Sequence, residues 1–456
     1  MARPAFLLAG ALALAAASSP AAAAPGAEEQ GPPTPDRVQE QEKRLQDQER
    51  RIQELERRLA EAEGRAGVAP SAESLDAAVR RYLEARPEPI QEGGGLYGVG
   101  PVQRPANLRF RFGGYISTLF RMPDRHDPDT TFEGLRMVPQ FAFDVSDGIE
   151  FATEIEFERG GADASFLDDN EVLVEYAEVR FDVHESFVPK MGILLVPFLR
   201  YNLYHDDPIW NLQDRPFTAT RIFKAAFQQP GVGAEGVFPL GGGNSLNYNL
   251  ALTNGPDDGV TNSRWSGARQ DFKQDNNDDK TIWARVGAAP RLDWCAADLG
   301  FSWATGRMDA AGEVRMTAYG FDGKLTRDRF DVIFEWTRFH YDRPASQDFR
   351  VQPTGTHGGF VEVDFTFLRG LPRSESGIVG DRSTLALATR YEWSDTNTRV
   401  TGAALEDDAR AVVAGLAFRP TPKTVVRLER RWERSSFDDP DARRLGGWLF
   451  SLSTYF

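Results

Sequence analysis

Charged residues alternate with apolar residues in several stretches of this chain. A segment with this period of two forms a strand with one apolar face and one charged face. When rows of opposite charge face each other across an aqueous space, they create a transverse field that can sort solutes by charge. The charged residues in this setting that we take as selectivity candidates are Arg109, Arg111, Glu150, Glu154, Glu156 and Arg180.

A second set of charged candidates follows Phe198 in a long polar segment. If the segment folds into a channel, these residues set the charge at its narrowest point. Alternatively, pairing of its acids with neighbouring arginines holds the segment in shape, and the two roles are compatible because a fixed segment defines the aperture. The residues concerned are Arg200, Asp206, Asp207, Asp214, Arg215 and Arg221.

The same segment carries four aromatic residues, Tyr201, Tyr204, Trp210 and Phe217. They could offer an apolar surface to sugars or apolar solutes. We favour the alternative that they pack the segment against neighbouring strands.

Residues typical of catalysis or metal binding are sparse. The chain has five histidines, none at metal-ligand spacing, and one cysteine, Cys295. We find no nucleophile elbow, and the glycine runs lack the strand–turn–helix setting of a phosphate loop. We therefore expect no metal site, no cofactor and no enzymatic activity.

Composition narrows the class of protein further. The 456 residues include 53 basic and 68 acidic ones, a net charge of −15, which argues against nucleic acid as a partner. Beyond the N-terminus no run approaches the 18 or so apolar residues of a membrane-spanning helix. Barrel strands escape this criterion, because half of their residues are polar.

From residue 107 to residue 456 the alternation favours a transmembrane antiparallel β-barrel over a soluble β-sandwich. The alternating segments are long enough to cross a bilayer, and the last one ends on an aromatic residue, Phe456. The length predicts about 16 strands, with 14 or 18 also compatible. Tryptophans at strand ends fit interfacial girdles. Predicted outer loops are 122–131, 160–170, 254–280, 343–356 and 369–382.

The first part of the chain has a different organisation. Residues 1–24 are typical of a signal peptide, and 25–36 form a proline-rich flexible linker. Apolar residues recur every seven positions at Val38, Leu45, Ile52 and Leu59, which predicts a short α-helical coiled coil over 37–66. A lone charged helix is the alternative. A short amphipathic helix over 71–86 and a Gly/Pro-rich hinge over 87–106 complete this part.

One stretch carries a family resemblance. Residues 190–223 contain Lys190, Gly192, Pro197 and Phe198 in a K-x-G-x-x-x-x-P-F pattern, which resembles the phosphate-selective porin O/P family. That resemblance implies a 16-stranded trimeric porin with an inward loop and an anion preference based on arginines. The final strand resembles the closing strand of bacterial outer-membrane barrels, which the barrel-assembly machinery reads through a terminal Phe, here Phe456.

These observations predict an outer-membrane porin for passive diffusion of small hydrophilic solutes, small ions or phosphate-like anions among them. It would sit in the lipid of a bacterial outer membrane as a homotrimer, with its coiled coil in the periplasm. A structural envelope protein, anchored by the barrel and tethered through the coiled coil to peptidoglycan or a partner, is the alternative. An adhesin or receptor that works through the long loops is a third reading.

Overall fold

The computed structural model describes residues 110–124, 130–158, 172–258, 268, 275–343, 353–374, 376–398, 407–435 and 446–456. The predicted signal peptide, linker, coiled coil, amphipathic helix and hinge lie outside these residues, and so does Arg109. The fold below is therefore that of the predicted barrel.

Sixteen strands form one closed antiparallel barrel, in which each strand pairs with the next and the last pairs with the first. The predicted fold and strand number are thus confirmed. The strands are β1 Phe110–Pro123, β2 Thr131–Ser146, β3 Ile149–Glu158, β4 Val172–Phe181, β5 Val188–Leu195, β6 Gln228–Gly241, β7 Asn244–Thr253, β8 Thr281–Ala289, β9 Ala296–Arg307, β10 Arg315–Arg327, β11 Phe330–Asp342, β12 Gly355–Arg369, β13 Thr384–Asp395, β14 Asp408–Thr421, β15 Thr424–Ser435 and β16 Gly447–Tyr455.

The barrel is inverted relative to a water-soluble protein, with apolar side chains outside and polar ones inside. On β16, Trp448 and Phe450 are exposed on the outer surface, whereas Ser451 and Ser453 are buried inside. Because neighbouring residues of a strand point to opposite faces, the alternation in the sequence becomes a lipid-compatible outer face and a charged lumen.

The two ends of the barrel differ. Connections that follow even-numbered strands lie at the same end of the barrel as the start of β1 and the end of β16, and we call this the turn end. The other connections lie at the opposite, loop end. The prediction that 369–382 is an outer loop is wrong, because this connection follows β12 and lies at the turn end.

Residues 196–227, between β5 and β6, form a segment that we call the inward loop. It contains a short helix, α1 (Arg200–Leu203), a 3₁₀ turn (Asp207–Ile209) and one π-helical turn (Thr218–Ile222). No helix of the described ranges has the length and apolarity needed to span a membrane.

An apolar core forms inside the barrel where the inward loop meets the wall. The rings of Phe198 and Phe223 are tilted against each other with centroids 5.2 Å apart, and both contact Trp283 of β8 and Phe339 of β11 at centroid distances of 5.3–5.9 Å. All four side chains are buried. This core fixes both ends of the inward loop inside the lumen.

Candidate functional site

The entry to the inward loop explains the residues of the K-x-G-x-x-x-x-P-F pattern. Lys190 is buried and its Nζ donates to Glu235 of β6 at 2.7 Å. Gly192 has φ +142°, and a Cβ at this position would lie 2.1 Å from the carbonyl oxygen of Ala177. The pattern therefore combines a buried cation, a close backbone approach that only glycine permits, and the core residue Phe198.

Carboxylates of three alternate strands hold the backbone of the inward loop. Each accepts a hydrogen bond from a loop N–H group. The pairs are Tyr201 N to Glu335 of β11 at 2.8 Å, Phe217 N to Glu392 of β13 at 3.1 Å, and Asp214 N to Glu429 of β15 at 3.2 Å. Charged acceptors make stronger hydrogen bonds than neutral ones, so this side of the lumen is a firm support for the loop.

Arginines of neighbouring strands hold the carbonyl oxygens of the same loop. Arg427 of β15 donates to the carbonyl of Trp210 at 2.9 Å and to the Gln213 side chain at 2.6 Å. Arg419 of β14 donates to the carbonyl of Pro208 at 2.7 Å. The wall thus provides hydrogen-bond partners for both the N–H and the carbonyl groups of the loop backbone, as buried polar groups require.

The loop also reaches the opposite side of the barrel. Asp207 pairs with Arg136 of β2 at 3.1 Å, and the Tyr455 hydroxyl of β16 donates to Asp206 at 3.0 Å. His205 Nε2 lies 2.9 Å from a carboxylate oxygen of Glu175 on β4. Since β4 and β11 lie seven strands apart in the barrel, a loop that contacts Glu175 on one and Glu335 on the other crosses the lumen and does not merely line one wall.

The side chains of three consecutive loop residues, His205, Asp206 and Asp207, have pKa values that differ from their usual ones. Burial alone would lower the pKa of His205, but Glu175 and Asp206 outweigh it and hold that pKa above its usual value. Burial raises the pKa of the Asp206 carboxyl to about 7. The Asp207 carboxyl is buried too, yet Arg136 and Arg215 bring its pKa below the usual value. Asp207 is therefore the firmly ionised member of this run.

The candidates nearest the turn end form one partly exposed group. Arg111 contacts Glu150 and pairs with Asp144 at 3.2 Å. Arg180 lies 3.9 Å from Glu150 and donates to Glu235 at 2.5 Å. The side chains of Arg111, Arg180 and Glu150 are 11%, 15% and 18% exposed, so solutes in the lumen can reach them.

The carboxylates further along β3 are placed differently. Glu154 and Glu156 are both buried beneath the inward loop, where Glu156 pairs with Arg136. Glu154 instead meets Glu175 and His205. The predicted row of lumenal acids is therefore one partly exposed residue and two covered ones.

The charged residues of the loop itself pair mainly with the wall. Arg200 pairs with Asp298 of β9, and Arg221 pairs with Asp407 beside β14. Asp214 pairs with Arg431 of β15 at 2.8 Å, while Arg215 lies 4.0 Å from Asp207. These contacts fit the reading in which the charges hold the loop in shape, and the wall supplies most of the partners.

The aromatic residues of the loop are used for packing. Tyr201 stacks on Trp210 with centroids 4.5 Å apart, and both are buried. Phe217 is buried against Ala409 and Ala411 of β14. This agrees with the packing interpretation rather than with an open surface for sugars.

The sequence reasoning missed the wall residues that hold the loop. Arg427 and Glu429 alternate along β15 with the apolar residues Val426 and Leu428, and Glu335 and Glu392 occupy the same inward register of their strands. An acid or an arginine in the inward register was the signal that could have marked these residues as lumenal. Their partners in the inward loop lie far away in sequence, so the alternation could not predict that these residues bind the loop.

Comparison with known proteins supports the fold more than the family. No family model matches the chain. An uncharacterized protein of Aquifex aeolicus is 24% identical over 143 residues, which is 31% of this chain and 31% of that protein. The chain thus matches less than a third of the length of this relative.

Solved outer-membrane barrels superpose on much more of the chain. OmpF of Salmonella typhi, solved with daunomycin, aligns with a TM-score of 0.51 at 12% identity, covering 76% of this chain and 97% of OmpF. An anion-selective porin from Comamonas acidovorans aligns with a TM-score of 0.46 at 11% identity, over 76% and 99% of the two chains. The OmpF match shows a shared porin-like barrel fold, and at this identity it shows nothing further.

Proposed function

We propose that this protein is an outer-membrane channel for passive diffusion of small hydrophilic solutes. The observation that carries the proposal is the closed barrel of 16 strands with an apolar outer face, a charged lumen and a loop folded inside. A barrel of this size is wide enough for an aqueous passage when its lumen is not filled by its own wall side chains. The inward loop then narrows the passage.

Anions, phosphate-like ones included, are the solutes that we propose the channel prefers. Arg111, Arg121 and Arg180 keep partly exposed guanidinium groups in the lumen. Arginine binds phosphate oxygens through two parallel hydrogen bonds, which favours such anions beyond their charge. Glu150 opposes this preference at the turn end, so we expect it to be moderate.

Planar-bilayer recordings test both parts of the proposal. The full-length protein, refolded in detergent, is inserted and the reversal potential is measured under a KCl gradient before and after phosphate is added. Discrete channels with anion selectivity and phosphate block of the chloride current are expected. Cation selectivity would overturn the anion preference and leave the channel standing, whereas no channels from folded protein would overturn the diffusion function.

We also propose that the barrel forms a homotrimer and that the coiled coil of residues 37–66 extends into the periplasm. A heptad array whose d positions include Gln41 and Gln48 is weak alone and is stabilised when chains are already held together. The molar mass in non-denaturing detergent tests the trimer, and a monomeric mass contradicts it. Deletion of residues 25–92 then separates the roles, since a tether would lose envelope integrity while the channel persists.

A further inference from the structure

We propose that Glu154, Glu175 and His205 form a binding site for a divalent transition-metal cation, with Zn²⁺ as the representative ion. The site lies where the inward loop meets β3 and β4. It does not depend on the proposed transport function, because it concerns how the loop is held to the wall.

The three side chains converge in space. One ligand atom from each lies within 4.8 Å of the other two, and His205 Nε2 is 2.9 Å from Glu175 Oε2. Zinc binds imidazole nitrogen and carboxylate oxygen at about 2.0–2.2 Å, which places neighbouring ligand atoms about 3–3.5 Å apart. A small closure of the side chains therefore brings all three onto one ion.

A β-bulge aims Glu175 into this site. In the pairing of β3 with β4, Glu154 is opposite Tyr176 and Ile155 is opposite Val174, so Glu175 is the extra residue. Both Glu175 and Tyr176 are consequently buried on the lumenal side, whereas regular alternation would turn one of them outward. Bulges commonly re-aim a side chain beside a functional site, and this one adds a second carboxylate next to Glu154.

The imidazole of His205 is oriented as a metal ligand requires. Its Nδ1 lies 2.9 Å from the carbonyl oxygen of Asn202, which can accept a hydrogen bond only from a protonated Nδ1. Asn202 is itself fixed, since its side chain donates to Val196 O at 2.9 Å and accepts from Phe227 N at 2.7 Å. This arrangement directs Nε2 to the carboxylates and is the typical support of a metal-bound histidine.

Buried carboxylate oxygens here have no hydrogen-bond partner. Glu154 Oε1, Glu175 Oε1 and Asp206 Oδ1 are all in this state, and Glu154 has no ion pair with any described residue. Glu154 is 1% exposed, so water does not supply the missing partner. A divalent cation bound between Glu154, Glu175 and His205 would give these buried polar groups a charged partner.

The ligand set favours a transition metal over calcium or magnesium. Ca²⁺ and Mg²⁺ prefer oxygen ligands alone, whereas imidazole with carboxylates suits Zn²⁺ and its neighbours in the first row. The sequence predicted no metal site because no two histidines have ligand spacing. Here the ligands come from β3, β4 and the inward loop, so no local spacing marks them.

Isothermal titration of the full-length, tag-free protein with ZnCl₂ tests the proposal, after treatment with EDTA in detergent. One saturable site is expected, and the single variants Glu154→Gln and His205→Gln should each weaken it by at least about tenfold. Ca²⁺ at the same concentration should not compete.

Glu362→Gln is the matched control, because Glu362 on β12 is an equally buried lumenal carboxylate with an unpartnered Oε1, and it pairs with Arg390 of the neighbouring strand β13 at 3.3 Å. It should bind Zn²⁺ as the wild type does. Absence of zinc binding by folded protein would overturn the proposal, and so would binding that both ligand variants retain. Folding of each variant is checked by its heat-modifiable migration in gels, and no step requires a conducting channel.

Discussion

Arg427 on β15 donates a hydrogen bond of 2.9 Å from Nη2 to the carbonyl oxygen of Trp210 in the inward loop. The same buried guanidinium donates to Gln213 of the loop at 2.6 Å and to Ser453 of β16 at 3.0 Å. One side chain of the wall thus joins the middle of the loop to two adjacent strands. The position of the loop in the lumen depends on such contacts, and this leads to the first prediction.

We expect Arg427→Ala to loosen the inward loop. The variant leaves buried acceptors of the loop without donors, at a cost of about 2 kcal/mol. This cost raises the population of displaced loop conformations by roughly 30-fold. Trypsin should then cut in the loop, which offers Arg221 and Lys224, and bilayer currents should become larger and noisier.

Arg410→Ala is the control for that measurement, because Arg410 is an exposed arginine on the adjacent strand β14. It should change neither the tryptic pattern nor the currents. If Arg427→Ala is indistinguishable from it, the loop is held by its apolar core and not by the arginine.

Glu150→Gln should shift ion selectivity towards anions. Glu150 contacts Arg111 and lies 3.9 Å from Arg180, so its removal leaves two lumenal arginines less compensated. Partly exposed charge pairs are worth about 0.5–1 kcal/mol, which corresponds to roughly a twofold to fivefold change in the permeability ratio. The reversal potential under a KCl gradient measures this ratio.

Asp147→Asn removes the same charge from the exposed turn between β2 and β3, at the same end of the barrel but outside the lumen. It should leave the reversal potential within about one fifth of that shift, because exposed charges are screened by salt. Equal shifts in both variants would mean that surface potential, and not lumenal charge, governs selectivity.

Gly192→Ala should destabilise the barrel at the entry to the inward loop. The positive φ of +142° and the carbonyl oxygen of Ala177 at 2.1 Å leave no room for a Cβ. Backbone strain of this kind costs about 1–3 kcal/mol. The urea midpoint for loss of the heat-modifiable folded band should fall accordingly.

Gly380→Ala provides the comparison, since a Cβ there meets no atom within 4 Å. Its urea midpoint should match that of the wild type. A Gly192→Ala protein with an unchanged midpoint would show that the β4–β5 contact adjusts without cost, and that the glycine of the pattern has another role.

Phe456→Ala should reduce assembly in cells while refolding in detergent continues. The Phe456 N–H donates to Gly114 O at 3.0 Å, and the variant keeps this hydrogen bond because it is made by the backbone. The Phe456 ring packs on the ring of Phe112 with centroids 5.7 Å apart. If the assembly machinery reads the terminal ring, folded protein in membranes should fall severalfold. The same loss of refolding in vitro would instead assign the ring a packing role. Phe450→Ala, an outward aromatic on β16, should assemble normally.

The alternation along β16 shows what could be predicted from local sequence. Trp448, Phe450 and Leu452 point outward and Ser451 and Ser453 inward, as the period of two predicted. Such a period depends only on neighbouring residues of one strand, so it could be read without the fold. The inward loop after Phe198 was implied by the resemblance of the K-x-G-x-x-x-x-P-F pattern to a porin family and not by the alternation.

Glu175 is a residue whose position could not be predicted from alternation. A bulge shifts the phase of β4 by one residue, and a one-residue shift moves a side chain to the other face. Regular alternation could not predict that Glu175 would share the lumenal side with Tyr176. The sixth connection at the turn end, residues 370–383, was misassigned for a related reason, since loop length does not reveal at which end of the barrel a connection lies.

The sequence by itself determined the barrel, its approximate strand number and the face of each residue in a regularly alternating strand, whereas the inward loop was only implied by a family resemblance. The first three features follow from strand period and from interactions between residues that are close along the chain. Only the tertiary structure decided that Glu335, Glu392 and Arg427 hold the inward loop and that Glu154, Glu175 and His205 meet. These contacts exist because closure of the barrel brings opposite walls to one loop, and no local pattern encodes which groups then face each other.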